Sequence, residues 1–292
     1  MIENEFYRQL VERNIGLLTW DQQKKIQDSC IAVFGLGGLG GVIAHLLARS
    51  GVGKLKIADN DRFEPTNLNR QIFSFTTNLD QLKVDATEQC LKEINPHIKI
   101  EKFTAINHES IDAMLNDSVV AMMAIDKTKP CILISRACRL KGIPLVEGWA
   151  IPFGNVRVYT KDTATLEELY ELPTVKKSFK EIDAMDDDDF RKMDMQVLMT
   201  LACLEGIDEY YKPEIIGQMM HNGRITSFAP MVWLTAVLMT LEAMKIILHW
   251  GNLALAPHFA LYDPFQHKIP KILPKEIWRE KVWKLLTRMS TQ

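Results

Sequence analysis

The sequence predicts an α/β fold: a Rossmann-like, doubly wound, mostly parallel sheet with helices on both faces and an irregular crossover segment. Three observations carry that expectation. Short apolar, β-branched runs alternate with helix-length segments from about residue 30 to residue 150, the order that builds βαβ units. A glycine-rich turn, VFGLGGLGG at 33–41, joins the first such run to the first such helix. An acid, Asp59, closes the second run.

Residues 4–28 read as helical and polar on one side, and Thr19 and Gln22 within them have the spacing of a capping box. CIAVFG (30–35) is a buried parallel strand, since it is apolar throughout rather than alternating. GGVIAHLLARSGVG (40–53) is a helix closed by glycine, and KLKIAD (54–59) is the second strand. LKVDATEQCLKEINP (82–96) is a helix stopped by Asn95-Pro96. IKIEKFT (98–104) and SVVAMMAID (118–126) are strands, with Asp126 ending the latter. KPCILISRACRLKG (129–142) is a helix; IPLVEGWA (143–150) and FGNVRVYT (153–160) are strands.

Residues 161–224 lose the alternation and read as a crossover with helices of its own. The acidic run Asp186–Asp189 within it reads as a solvated loop. The apolar stretch from Phe228 to Leu248 contains Glu242 and Lys245. Each charge costs about 2.5–3.5 kcal/mol at the centre of a bilayer, so a buried core helix is expected and no membrane span. FALYDPFQHKIPKIL (259–273) suggests closing strands.

Composition narrows the classes. A net charge of -2 in 292 residues argues against binding nucleic acid through bulk positive charge. The five cysteines are odd in number and form no CxxC, so neither a disulfide scaffold nor a four-cysteine zinc site is expected. The N-terminus lacks the apolar core of a secretory signal. Reduced thiols and a cytoplasmic location are the expectation.

Gly35, Gly37 and Gly40 form GxGxxG, with Gly38 between them. Gly37 and Gly38 let backbone N–H groups approach phosphate oxygens, and the adjoining helix aims its positive end at the same anion. Asp59 suits the hydroxyls of an adenosine ribose. The loop alone leaves NAD and ATP both open. The next segment, ADNDRFEPTNLNRQIF (58–73), brings a polar loop where a dehydrogenase starts a helix. Arg70 there, and Lys83 beyond it, suit charge building on a phosphoryl group, which hydride transfer does not require. Asp126 at a strand's C-terminal edge is placed to hold Mg²⁺.

These stretches, with LKVDATEQCLKEINPHIKI, AID and IPLVEGWA, resemble the ThiF/MoeB/HesA family, the adenylating domain shared with ubiquitin-activating enzymes. The likeness covers roughly residues 12 to 160, and the helix of 228–248 also matches the family's long helix. It implies one adenylation domain over 1–292. A helical arm (1–28) precedes a nucleotide-binding core (29–160), a crossover and substrate region (161–224), and the long helix with C-terminal strands (225–292). It further implies ATP and Mg²⁺ as cofactors. Gly35, Gly37, Gly38 and Gly40 would lie at the phosphates and Asp59 at the ribose, with Asp61 and Gln71 also binding the nucleotide. Asn67, Arg70 and Lys83 would contact the phosphates and stabilise the transition state, and Asp126 would ligate the metal. An N-terminal arginine would cross to a partner's ATP; Arg13 is the candidate and Arg8 the runner-up. The acceptor would be the C-terminal carboxylate of a ubiquitin-like or sulfur-carrier protein, or of a peptide, and the assembly a homodimer.

The sequence departs from that family at three points. No CxxC pair is present, so no zinc is expected. Residues 158–202 contain no cysteine for a thioester, and Cys203 lies on an amphipathic stretch where a thiol fills space. The family pattern D-x-x-D-N reads here Met123-Ala124-Ile125-Asp126-Lys127. An NAD-dependent oxidoreductase and an inactive nucleotide-binding regulator are the alternatives.

Overall fold

The computed structural model describes residues 4–269, except Cys203, Glu205 and 223–225, together with Glu280. The N-terminal arm is broken into α1 (Glu5–Val11), a short 3-10 turn and α2 (Trp20–Asp28), instead of the one helix expected over 4–28. The break contains Gly16, whose φ of +110° no helix accommodates. Thr19 restarts the helix through the capping box: its hydroxyl accepts from Gln22 N at 3.2 Å, and Gln22 Oε1 accepts from Thr19 N at 2.9 Å.

The core then alternates as the sequence predicts, through β1 (Cys30–Phe34), α3 (Gly38–Arg49), β2 (Lys54–Ala58), α4 (Lys83–Ile94) and β3 (Lys99–Phe103). It continues with α5 (His108–Leu115), β4 (Val120–Met123), α6 (Thr128–Lys141) and β5 (Leu145–Glu147). Helix α5 is an addition to the expected elements. Asn107 caps it in a box with Ser110, and Ile111, Met114 and Leu115 form its buried face. Strand β4 ends at Met123, so Asp126 lies on the loop beyond it, not at the strand end.

After β6 (Gly154–Tyr159), the crossover carries α7 (Leu166–Leu169), α8 (Phe179–Asp183), α9 (Asp187–Ala202), α10 (Ile207–Tyr210) and α11 (Pro213–Asn222). The acidic run is the start of α9 and not a loop. Asp186 Oδ1 accepts from Asp189 N at 2.8 Å, and the next three aspartates occupy the first turn, where negative charge meets the positive helix end. The chain closes with α12 (Ala229–Leu248) and β7 (Ala260–Tyr262); the part of the expected closing strands beyond 269 lies outside the described residues.

The seven strands form one sheet in the order β3-β2-β1-β4-β5-β6-β7. The first five are parallel, and β6 and β7 run antiparallel to their neighbours. The direction of winding reverses between β1 and β4, which opens a crevice at their C-terminal ends. Side chains alternate across the sheet. Ile31 and Val33 of β1 join a core with α3, α4 and α12, whereas Ala32 and Phe34 join one with α5, α6 and the crossover. Helix α12 is long and apolar enough to cross a membrane by length and composition. Here it is a core helix: Val232, Ala236, Met239 and Ala243 are buried against α3 and β6. Its one buried acid, Glu242, pairs with Lys245 and accepts from Ala254 N.

Candidate active site

The crevice at the β1/β4 switch point has a volume of about 1030 Å³, ample for a nucleotide. Its floor is the glycine turn. Gly35 has φ +88°, and a Cβ there would fall 2.4 Å from the Ala124 carbonyl oxygen, so no other residue fits. Gly37 stands at the N-cap of α3, and no side chain caps that helix. The first N–H groups of α3 are therefore available to an anion. A Cβ on Gly37 would meet only Gln71 Nε2, at 3.7 Å, so the space above the turn is open. A Cβ on Gly38 would lie 2.8 Å from Val232 Cγ1 and 3.4 Å from Arg70 Cγ; its absence lets α12 and the arginine stem close in. Gly40 has a different role. A Cβ there would sit 1.8 Å from Gly35 O, so Gly40 sets the helix against the strand and does not line the crevice.

Asp59 comes directly after β2 and is buried. Its Oδ2 accepts from Leu36 N at 2.7 Å and its Oδ1 from Asp61 N at 2.9 Å. Burial raises its pKa above the usual carboxylate value, against the Lys83 ammonium and these two N–H groups. Lys83, the first residue of α4, is buried with Nζ 2.8 Å from Asp61 Oδ2 and 3.9 Å from Asp59 Oδ1. Asn67 is buried in a 3-10 turn, where its Oδ1 accepts from Glu64 N at 3.1 Å. Gln71 is buried as well, and its Oε1 has no hydrogen-bond partner. An unpartnered buried amide oxygen on a crevice wall fits a ligand that donates to it.

Arg70 is half-buried, and its Nη1 donates to Thr66 O at 3.0 Å and Asn69 Oδ1 at 2.8 Å. Burial lowers its pKa, and the negative charge of Asp126 opposes that shift. Asp126 lines the same crevice. Among the described residues no group of three or more His, Cys, Asp or Glu gathers to hold a metal. A single carboxylate is what Mg²⁺ needs when phosphates and water complete its shell, so Asp126 fits that ion.

The structure thus brings together Gly35, Gly37, Gly38, Asp59, Asp61, Asn67, Arg70, Gln71, Lys83 and Asp126. Arg13 is exposed and does not line the crevice of its own chain. Arg8 stacks its guanidinium over Trp20 at 5.2 Å. Two walls carry residues outside the expected site set, although the second falls in IPLVEGWA, one of the stretches that carry the family resemblance. One is Ile106, Asn107 and His108, leading into α5; the capping-box spacing of Asn107 and Ser110 is the available signal. The other is Gly148, Trp149 and Ala150 after β5. Trp149 is held by its Nε1, which donates to Tyr170 Oη at 2.8 Å, and by its backbone N, which donates to Asn155 Oδ1 at 2.7 Å. Tyr170 lies 21 residues along the chain from Trp149, and nothing local announces the contact.

Cys30, Cys90, Cys131 and Cys138 are free thiols. Burial raises the pKa of each, that of Cys138 to about 12, so none is an activated nucleophile. Cys203 lies outside the described residues.

Fold and crevice together define a Rossmann-like α/β protein with a crevice lined by charged groups at the switch point of its sheet. The chain belongs to the ThiF family, whose model matches residues 11–277. It is 31% identical over 174 residues to the molybdopterin-synthase adenylyltransferase of Haemophilus influenzae, covering 58% of this chain and 70% of that one. It is 35% identical over 154 residues to the Escherichia coli sulfur carrier protein ThiS adenylyltransferase, covering 51% of this chain and 59% of that one. These matches span somewhat more than half of the relatives' length. Among solved structures, PaaA superposes with a TM-score of 0.64 at 19% identity, covering 91% of this chain and 73% of that one. E. coli MccB with ATP superposes with a TM-score of 0.60 at 18% identity, covering 86% and 65%. Membership of the ThiF family sets the oxidoreductase alternative aside.

Proposed function

We propose that this chain uses ATP and Mg²⁺ to adenylate the C-terminal carboxylate of a sulfur-carrier or ubiquitin-like protein, or of a peptide. The carrying observation is that Arg70 and Asp126 line the same crevice as the uncapped N-terminus of α3. A dinucleotide site has no use for that pair at the phosphate end. The names of the two relatives, one acting with molybdopterin synthase and one on ThiS, support a protein C-terminus as acceptor.

A carboxylate is ionised at neutral pH, so no general base is required. One of its oxygens bonds to the α-phosphorus, the bridge to the β-phosphate breaks, and pyrophosphate leaves with the bridging electron pair. The work of the chain is positioning and charge neutralisation. The α3 N-terminus orients the phosphates, and Asp59 accepts from the ribose hydroxyls. Gln71 Oε1 takes a donor, and Arg70 spreads over charge developing at the phosphorus. Lys83, held by Asp61, adds a second cation, and Asn67 shapes the loop between them. Asp126 would hold Mg²⁺, and a cation bound there would supply charge neutralisation for the pyrophosphate.

We also place the protein in the cytoplasm as a homodimer. The free thiols suit a reducing compartment. Trp233, Val237 and Leu241 are 39%, 40% and 52% exposed at four-residue spacing on α12, an apolar stripe that a second copy would cover.

Isotope exchange between pyrophosphate and ATP, with a purified sulfur carrier ending in Gly-Gly or a candidate peptide, tests the reading. Arg70→Ala is expected to lower exchange about 10²–10³-fold with the fold intact by circular dichroism. Near-unchanged exchange in that variant would sink the assignment.

A further inference from the structure

Resting on the adenylation reading, we infer that Asp194 of the crossover is a positioning residue for the metal-binding loop: it caps α6 from another helix and thereby sets Asp126. Lys127 occupies the N-cap of α6, and its side chain makes no capping bond; an ammonium has no acceptor to offer. The cap comes instead from α9. Asp194 Oδ1 accepts from Thr128 N at 2.8 Å, and its Oδ2 lies 3.6 Å from Lys127 Nζ.

Two neighbours tighten the same joint. Lys129, the next residue but one, lies over the Phe190 ring of α9 at 5.1 Å. Cys131 donates its thiol to Ile125 O at 3.6 Å, holding the loop from within α6. Asp126 sits between these anchors, two residues before Thr128. Its backbone has no regular structure of its own, so its direction is set by the anchors. One carboxylate thus serves the helix end, the loop lysine and the docking of α9. The crossover, which differs most in pattern from the regular core, is tied to the residue that would hold the metal.

A merely structural role predicts loss of stability alone. A positioning role predicts a selective loss of metal coupling. Calorimetric titration of ATP over a series of free Mg²⁺ concentrations separates the two. Asp194→Ala is expected to raise the Mg²⁺ concentration needed for half-maximal ATP affinity about tenfold, while affinity for metal-free ATP stays within about twofold, on the order of experimental scatter. Asp194→Asn keeps the acceptor for Thr128 N and is expected to lie close to the unmodified chain. Lys127→Asn supplies a local cap, so the Lys127→Asn/Asp194→Ala pair should recover most of the loss.

An unchanged Mg²⁺ requirement in Asp194→Ala overturns the inference. So does an equal loss of metal-free ATP binding, or a double variant no better than Asp194→Ala. If the unmodified chain binds no ATP at any Mg²⁺ concentration, the adenylation reading itself falls, and this inference with it.

Discussion

At the scale of single residues, Asp59 is held between two demands. In the proposed site its carboxylate accepts from ribose hydroxyls most strongly when charged, yet burial raises its pKa despite the Lys83 ammonium and two N–H donors. A raised carboxyl pKa has a definite sign. The folded chain favours the protonated form, so the contribution of Asp59 to stability is present below its unfolded pKa and lost as pH rises through the folded one. Binding runs the other way: ATP affinity is expected to fall on acidification at a higher pH than an ordinary aspartate, near about 4, would impose. Asp59→Asn should weaken ATP binding at neutral pH and lower the melting temperature there, since one amide oxygen cannot accept from both Leu36 N and Asp61 N. The affinity gap between the two proteins should narrow as pH falls through the weakly acidic range. Calorimetric titration across pH checks the first and third outcomes, and thermal melts the second; a gap that does not change with pH refutes the assignment of Asp59. The glycines divide the loop's tasks in a way that spacing alone conceals. Gly37 leaves room for an anion, whereas Gly40 only lets α3 approach Gly35. The motif has one consensus because both backbone approaches must coincide.

At the scale of elements, β5 and β6 are joined by a buried ion pair. Glu147 and Arg157 face each other in antiparallel register, with Arg157 Nη1 3.7 Å from Glu147 Oε2. Tyr159 donates to Glu147 Oε2 at 2.7 Å, and Tyr170 to Oε1 at 3.3 Å. Tyr170 also receives the indole N–H of Trp149, so the pair stands behind a wall of the crevice. Arg157→Met would strand the carboxylate and is expected to cost about 3–5 kcal/mol in urea denaturation; the added Glu147→Gln should recover most of it. Full stability in Arg157→Met alone would mean the pair contributes nothing. Neither partner is visible in the sequence, since a glutamate and an arginine in two strands resemble solvent-facing positions until the layer covering them is known. The elements that are legible have local causes: a continuous apolar run for β1, a capping box for α2, Asn95-Pro96 after α4. Helix α5 is hard to read because two turns make a weak periodicity. The acidic run resembles a loop because aspartates favour one by composition; it is the first turn of α9 only because Phe190, Met193 and Val197 beyond it pack into the core.

At the scale of the whole molecule, the doubly wound sheet puts every strand-borne or loop-borne part of the site at one edge, which is why fold and crevice are readable from residues 30 to 150. The crossover contributions are not: Asp183 reaches the crevice, and Asp194 the start of α6 beyond Asp126, only through tertiary docking. Arg13 is the remaining case, because its proposed task needs a second chain. It is exposed and away from its own crevice, as a residue reaching across a two-fold interface would be. Complementation decides it. Arg13→Ala and Arg70→Ala proteins are each expected to be nearly inactive in pyrophosphate exchange. In a mixed dimer, the protomer that keeps Arg70 receives Arg13 from its partner, so one of the two sites is complete. Dissociating and reassociating equal amounts of the two should restore roughly a quarter of the sites. If Arg13 served its own crevice, every site in the mixture would lack one arginine, and activity would stay at the level of the separate variants. Leu241→Glu, placed in the exposed stripe of α12, should abolish both the restoration and the dimer mass by light scattering if that stripe is the interface. Restoration that persists in a Leu241→Glu background would locate the interface elsewhere while keeping Arg13 in trans.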